Sequence, residues 1–80
     1  MITSAQIRAA RALLDWSRAD LARHSGVGAS ALMRLESAHG VPSGNIKTFE
    51  AVQKALENAG VEFIGTPEDG PGVRLHKKPS

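Results

Sequence analysis

Ser17-Arg18-Ala19-Asp20-Leu21-Ala22-Arg23-His24-Ser25-Gly26-Val27-Gly28-Ala29-Ser30-Ala31-Leu32-Met33-Arg34-Leu35-Glu36 is the stretch whose reading decides the fold. Ser17 and Asp20 have the spacing of a capping box, and Trp16 and Leu21 stand at the two positions of a hydrophobic staple. Asp20 also suits the positive end of a helix. A short helix therefore starts at Ser17 and stops near Gly26, a residue that readily takes the left-handed conformation past a helix end. A second start follows at Gly28, with Val27 and Leu32 in the staple positions. A glycine cap has no side-chain oxygen, so an amide is left for water or a ligand. This helix carries Ala31, Leu32 and Leu35 and should end near Ala38. Ala22 must be small where the two helices cross, and Leu21, Val27, Leu32 and Leu35 close a small core between them. Two short helices across a tight turn, the second held outward, form a helix-turn-helix.

Outward from this stretch, Thr3 and Gln6 repeat the capping-box spacing, with Ile2 and Ile7 as staple. The helix they start runs through Ala10, Leu13 and Leu14 at helical period. On the other side, His39-Gly40-Val41-Pro42-Ser43-Gly44 reads as a loop from its Gly and Pro content. A fourth helix follows, capped by Ser43 or Asn45, with Ile46, Phe49, Val52 and Leu56 as its apolar stripe and Gly60 as its stop. Beyond it the pattern changes to partly alternating β-formers, Val61-Glu62-Phe63-Ile64 and Val73-Arg74-Leu75-His76. Between them, residues 65–72 read as a turn or loop. A hairpin with Val61, Phe63, Val73 and Leu75 on one face is expected, docked on the helices or paired across a dimer, because two isolated strands are marginal in water. Residues 76–80 read as a frayed basic tail. The expected fold is mainly α: a compact bundle of four short helices with a C-terminal β-hairpin or extended arm. Residues 1–60 would form the helix-turn-helix domain and residues 61–80 the arm.

Composition narrows the function. Eighty residues suffice for one small domain. With no cysteine, disulfides, thiolate metal sites and cysteine nucleophiles are excluded. No signal-peptide pattern and no membrane-length apolar run is present, so a cytoplasmic protein is expected. The net charge is +2, and the excess lies in residues 1–40, as Arg8, Arg11, Arg18, Arg23 and Arg34 against Asp15, Asp20 and Glu36. His24, His39 and His76 are not at metal-ligand spacing. Gly70-Pro71-Gly72 lacks the Lys and Ser/Thr of a phosphate loop. Asp15 and Asp20 sit beside caps, which suits dipole partners rather than an acid–base pair. No enzyme, cofactor or metal is expected. Trp16, in its staple position, reads as a core residue.

The pattern Leu21-Ala22, Ser25-Gly26-Val27, Leu32 and Leu35-Glu36 resembles the lambda-repressor/Cro family of helix-turn-helix regulators, also called the xenobiotic-response-element family. The resemblance covers roughly the first three quarters of the chain. It implies that the start of the third helix faces base edges, here Ala29, Ser30, Met33 and Arg34. Arg34 would read guanine or bind a phosphate, while Ala29 and Met33 make only apolar contacts, for instance to a thymine methyl. Familiar members often place Gln or Asn there. Ser17 and Arg18, Gly28, and Ser43, Asn45 and Lys47 open successive helices and would contact phosphates. The resemblance also implies an ion pair between Arg11 and Glu36 that fixes the angle between helices.

The expected function is sequence-specific binding of double-stranded DNA by a homodimer, as a transcriptional regulator, a repressor by family precedent. The C-terminal strands are the candidate dimer contact. The plain recognition helix keeps open an antitoxin-like or adaptor module that binds a protein partner such as a toxin. A regulator whose arm binds a small ligand ranks last.

Overall fold

A computed structural model of the chain describes residues 2–41 and 45–76. Four helices, α1 (Ser4–Leu13), α2 (Arg18–Ser25), α3 (Ala29–Ser37) and α4 (Ile46–Asn58), precede an antiparallel hairpin of β1 (Val61–Thr66) and β2 (Asp69–Leu75). Both expected capping boxes are present, Thr3 with Gln6 and Ser17 with Asp20. The core is the meeting of the apolar stripes: Ile2, Ile7, Ala10, Leu21, Leu32, Leu35, Phe49, Val52, Ala55, Leu56 and Val61.

The α1 end was not foreseen. Asp15 takes a positive φ of 57°, while its N–H donates to Ala12 O and the Trp16 N–H to Arg11 O. These paired bonds form a Schellman closure, with Asp in the place usually held by Gly. Leu13, expected on the apolar stripe, is 44% exposed, because the helix ends there and Leu14 turns toward the core instead. Ile46 is likewise 56% exposed: it opens α4 ahead of the buried Phe49, Val52 and Leu56. Asn45 is the α4 cap, its side chain accepting from the Lys47 N–H. Ser43, the other candidate cap, lies outside the described residues.

The strands reach further than their β-forming runs. Thr66 pairs with Asp69, so only Pro67 and Glu68 turn the chain, and a bulge falls between Ile64 and Thr66. Gly65 makes this possible: its φ is +77°, and a Cβ there would overlap the Gly70 carbonyl. Gly60 reverses the chain from α4 into β1 at φ +108°, against the His76 carbonyl. His76, expected in the frayed tail, is tied in: its N–H donates to Gly60 O at 2.8 Å and its ring meets Glu62 at 2.5 Å. The basic residues Lys77 and Lys78 lie outside the described residues.

The hairpin docks within the chain. Val61 is buried, and Phe63 and Val73 pack on the core. Gln6 anchors it. Its Oε1 accepts from the Thr3 N–H at 2.8 Å to complete the capping box, and its Nε2 donates to Ile64 O and Gly72 O, at 3.1 and 2.8 Å. A glutamate satisfies the box equally well but has no donor for the hairpin. Gln6→Glu should therefore cost about 1–3 kcal/mol in urea unfolding at neutral pH, the range for a buried group left facing the wrong partner. The carboxylate against two carbonyls should have its pKa raised in the folded state. The variant should regain stability as pH falls, once a protonated Glu can donate.

Candidate functional site

The α2–α3 connection is built from local bonds. Gly26 closes α2 in the left-handed region, φ +74°, its N–H donating to Ala22 O. Ser25 Oγ donates to Leu21 O at 2.7 Å and accepts from the Val27 N–H at 3.2 Å. Ser25 is part of the sequence pattern, but its bridging role is not read from it, although a serine one residue before a helix-ending glycine is a usable signal for this bridge. Gly28 then caps α3 with no side-chain bond, leaving amides at that terminus open toward solvent.

Leu32, Leu35 and Glu36 of α3 are buried, while Ala29, Ser30, Met33 and Arg34 are all exposed. At 100° per residue the four exposed positions, with Ser37, occupy one continuous face. Met33 is 52% exposed. Among the described residues Arg34 has no ion-pair partner.

What holds this face outward is the C-terminal end of α3, gripped by α1. Ser4 Oγ donates to Leu35 O and Arg8 Nη1 to Glu36 O, taking two carbonyls that the helix itself leaves unpaired. Arg11 meets the Glu36 carboxylate with two nitrogens, Nε at 3.1 Å and Nη2 at 2.9 Å, and gives its third to Trp16 O. The Arg11–Glu36 pair is thus formed, and the Glu36 side chain is only 2% exposed. The roles of Ser4 and Arg8 were invisible in sequence because their partners lie about thirty positions away.

Arg18 departs from expectation. Rather than projecting as a free phosphate ligand, its Nη2 lies 3.4 Å from Glu36 Oε1, and its Nε is buried without a partner. The reason is electrostatic: Glu36 is a buried carboxylate with lone pairs to spare, and Arg18, in the first turn of α2, is within reach. Ser17 is exposed and engaged as a cap, and Asn45 and Lys47 are exposed at the start of α4. Trp16 is not enclosed in the core. It is half-buried, packed on the core's edge, with His24 stacked on it at 4.2 Å and 8°. Among the described residues no three His, Asp or Glu side chains gather as metal ligands would, and no helix is long and apolar enough to cross a membrane.

No protein-family model matches the chain, and no curated protein matches it.

Removing one partner of the Glu36 pair should be costly. Arg11→Met should lose up to about 3–5 kcal/mol, the range for a buried charge deprived of its partner, with Arg18 at 3.4 Å from Glu36 moderating the loss. Glu36→Gln should lose less, because the Arg11 side chain it leaves behind is 22% exposed. The double variant should lose clearly less than the sum, read by urea denaturation as a double-mutant cycle. A second test concerns pH. Bonds from the Ser17 backbone, then from Arg23 and the Ser17 hydroxyl, hold the Asp20 carboxyl below its usual value of 3.8. A lowered folded value adds stability above 3.8 that is lost as pH falls through the folded value. Asp20→Asn should therefore flatten the acid limb of the stability–pH curve and leave its alkaline limb unchanged.

Proposed function

We propose that this chain is a non-enzymatic, cytosolic helix-turn-helix protein that binds double-stranded DNA as a homodimer and regulates transcription, as a repressor, with α3 in the major groove. The observation that carries the reading is the division of α3. One face is buried and clamped to α1, and the other presents Ala29, Ser30, Met33 and the unpaired Arg34 to solvent. A recognition helix has this requirement: a rigid backbone behind an outward face. Gly28 at the α3 start and Asn45 and Lys47 at the α4 start would meet phosphates with backbone amides and one cation. One such module buries only about 600–1,000 Å² of protein surface on DNA, which favours two modules on an inverted repeat with half-sites about 10–10.5 bp apart.

A second reading is favoured by one observation. Of the exposed large apolar side chains, Met33, Val41 and Ile46 fall on α3, the following connection and the start of α4. Apolar groups beside a recognition face suit a protein partner, such as a toxin, as well as a thymine methyl.

Selection of duplexes from a random pool separates the two. Recovery of an inverted repeat supports the DNA reading, and no enrichment overturns it in favour of a protein partner. On a selected site, Arg34→Ala should relax preference at one base pair by about 1–3 kcal/mol. Lys47→Ala should weaken all sequences alike and reduce the salt slope by about one.

A further inference from the structure

The hairpin has one edge that is open only in part. The His76 N–H to Gly60 O bond makes Gly60 and His76 a directly bonded pair. Alternation along an antiparallel ladder then directs the N–H and C=O groups of Val61, Phe63, Val73 and Leu75 away from the partner strand. On β2 the next outward position is Pro71, which has no N–H to offer. The outer edge of β2 is therefore closed to pairing at its turn end and open at Val73 and Leu75. The bulge falls on β2 as well, where Gly70 and Pro71 stand opposite the single Gly65, so the β2 edge is disturbed at its turn end and not at Val73 and Leu75.

The two edges differ in what lies beside them. β1 packs on α4, whereas β2 packs on α1, so the β2 edge opens on the α1 side of the molecule. Around α1, Ser4, Arg8 and Arg11 point to α3, Ile7 and Ala10 to the core, and Gln6 to the hairpin. One step beyond Gln6 around the helix comes Leu13. Leu13 and Leu75 are both at least 40% exposed, and neither belongs to the proposed DNA-facing surface.

We propose that a second copy of the chain pairs antiparallel along the outer edge of β2, about a two-fold axis at Arg74. It deepens the homodimer of the proposed function and rests on that reading for its purpose. Self-complementarity selects the occupant. An axis at Arg74 lets Val73 and Leu75 bond to Leu75 and Val73 of the second copy, using each outward group once. An axis at Val73 would set Pro71 against Leu75 and lose a bond. The two Arg74 side chains stand directly opposite, a like-charge pair that is offset by a Glu62 carboxylate 3.5 Å from each, so the outer row of four charges sums to zero. On the opposite face the row reads Val61, Leu75, then Val73 and Phe63 of the second copy, an unbroken apolar line across a four-stranded sheet. A specific dimer buries about 800 Å² per protomer, more than a three-residue edge supplies, and Leu13 extends the contact onto α1.

The chain has no cysteine, which makes a single introduced thiol diagnostic. Residues opposed in a non-bonded pair have Cα atoms about 4.5 Å apart, within disulfide reach. Under mild oxidation Arg74→Cys should form a covalent dimer rapidly, and Glu62→Cys, on the other strand, should not. Leu13→Glu and Leu75→Glu should shift sedimentation equilibrium toward the 8.4 kDa monomer with an unchanged far-UV circular dichroism spectrum. Equal cross-linking of the two cysteine variants, or a wild-type chain that sediments as monomer at tens of micromolar, overturns the proposal. Neither assay contains DNA: a monomer that still selects a duplex sinks this interface alone, and a dimer cross-linked at Arg74 that selects none sinks the DNA reading alone.

Discussion

Glu36 is a carboxylate taken almost wholly out of water, and most of the helical architecture is arranged around that fact. Desolvating such a group costs several kcal/mol, which only excellent geometry and additional hydrogen bonds offset. Arg11 supplies the geometry as a two-nitrogen fork from α1, and Arg18 adds a longer contact from α2. The third Arg11 nitrogen is given to Trp16 O, in the connection between those two helices. One carboxylate on α3 is thereby tied to α1, to α2 and to the link that joins them. With Ser4 and Arg8 on the neighbouring carbonyls, α3 has little freedom to rotate or tilt. Its outward face is held by side chains of α1 that never reach that face.

A single side chain plays the corresponding part for the hairpin. Gln6 uses its acceptor to finish the N-terminus of α1 and its donor to hold two carbonyls of the β-ladder. An amide can do both at once because it carries both kinds of group, and neither a carboxylate nor an ammonium can. The start of α1 and the docking of the hairpin are consequently one structural event. Two strands too few to stand alone become part of the core through Val61, Phe63 and Val73.

These two anchors divide the surface. The α3 face and the starts of α3 and α4 are left polar or lightly apolar and open, and the proposed DNA contact rests on them. The opposite flank of α1 and the end of β2 are left with Leu13, Leu75 and an edge of unpaired backbone groups, which suits a second copy. Arg18 sits between the two roles: it reads in sequence as a phosphate ligand, yet in the fold it leans on Glu36. Its half-exposed guanidinium adds positive charge beside the N-terminus of α2 without being a free arm.

The sequence by itself determined the helices, their starts and most of their stops. Each is set by signals within a few residues, such as Thr3 with Gln6, Ser17 with Asp20, or the left-handed Gly26, and local bonds need no tertiary partner. The four exposed positions of α3 were named by the family resemblance, and helical period explains why they share a face. Tertiary structure alone decided the rest. The grip of Ser4 and Arg8 on the end of α3, the second use of Gln6, the diversion of Arg18 and the exposure of Leu13 and Ile46 all depend on which distant element arrives beside a residue. The strand ends at Thr66 and Asp69 were settled by how closely Gly65 and Gly70 approach. Contacts of this kind join positions up to 66 apart in the chain, and no local pattern encodes a partner at that distance.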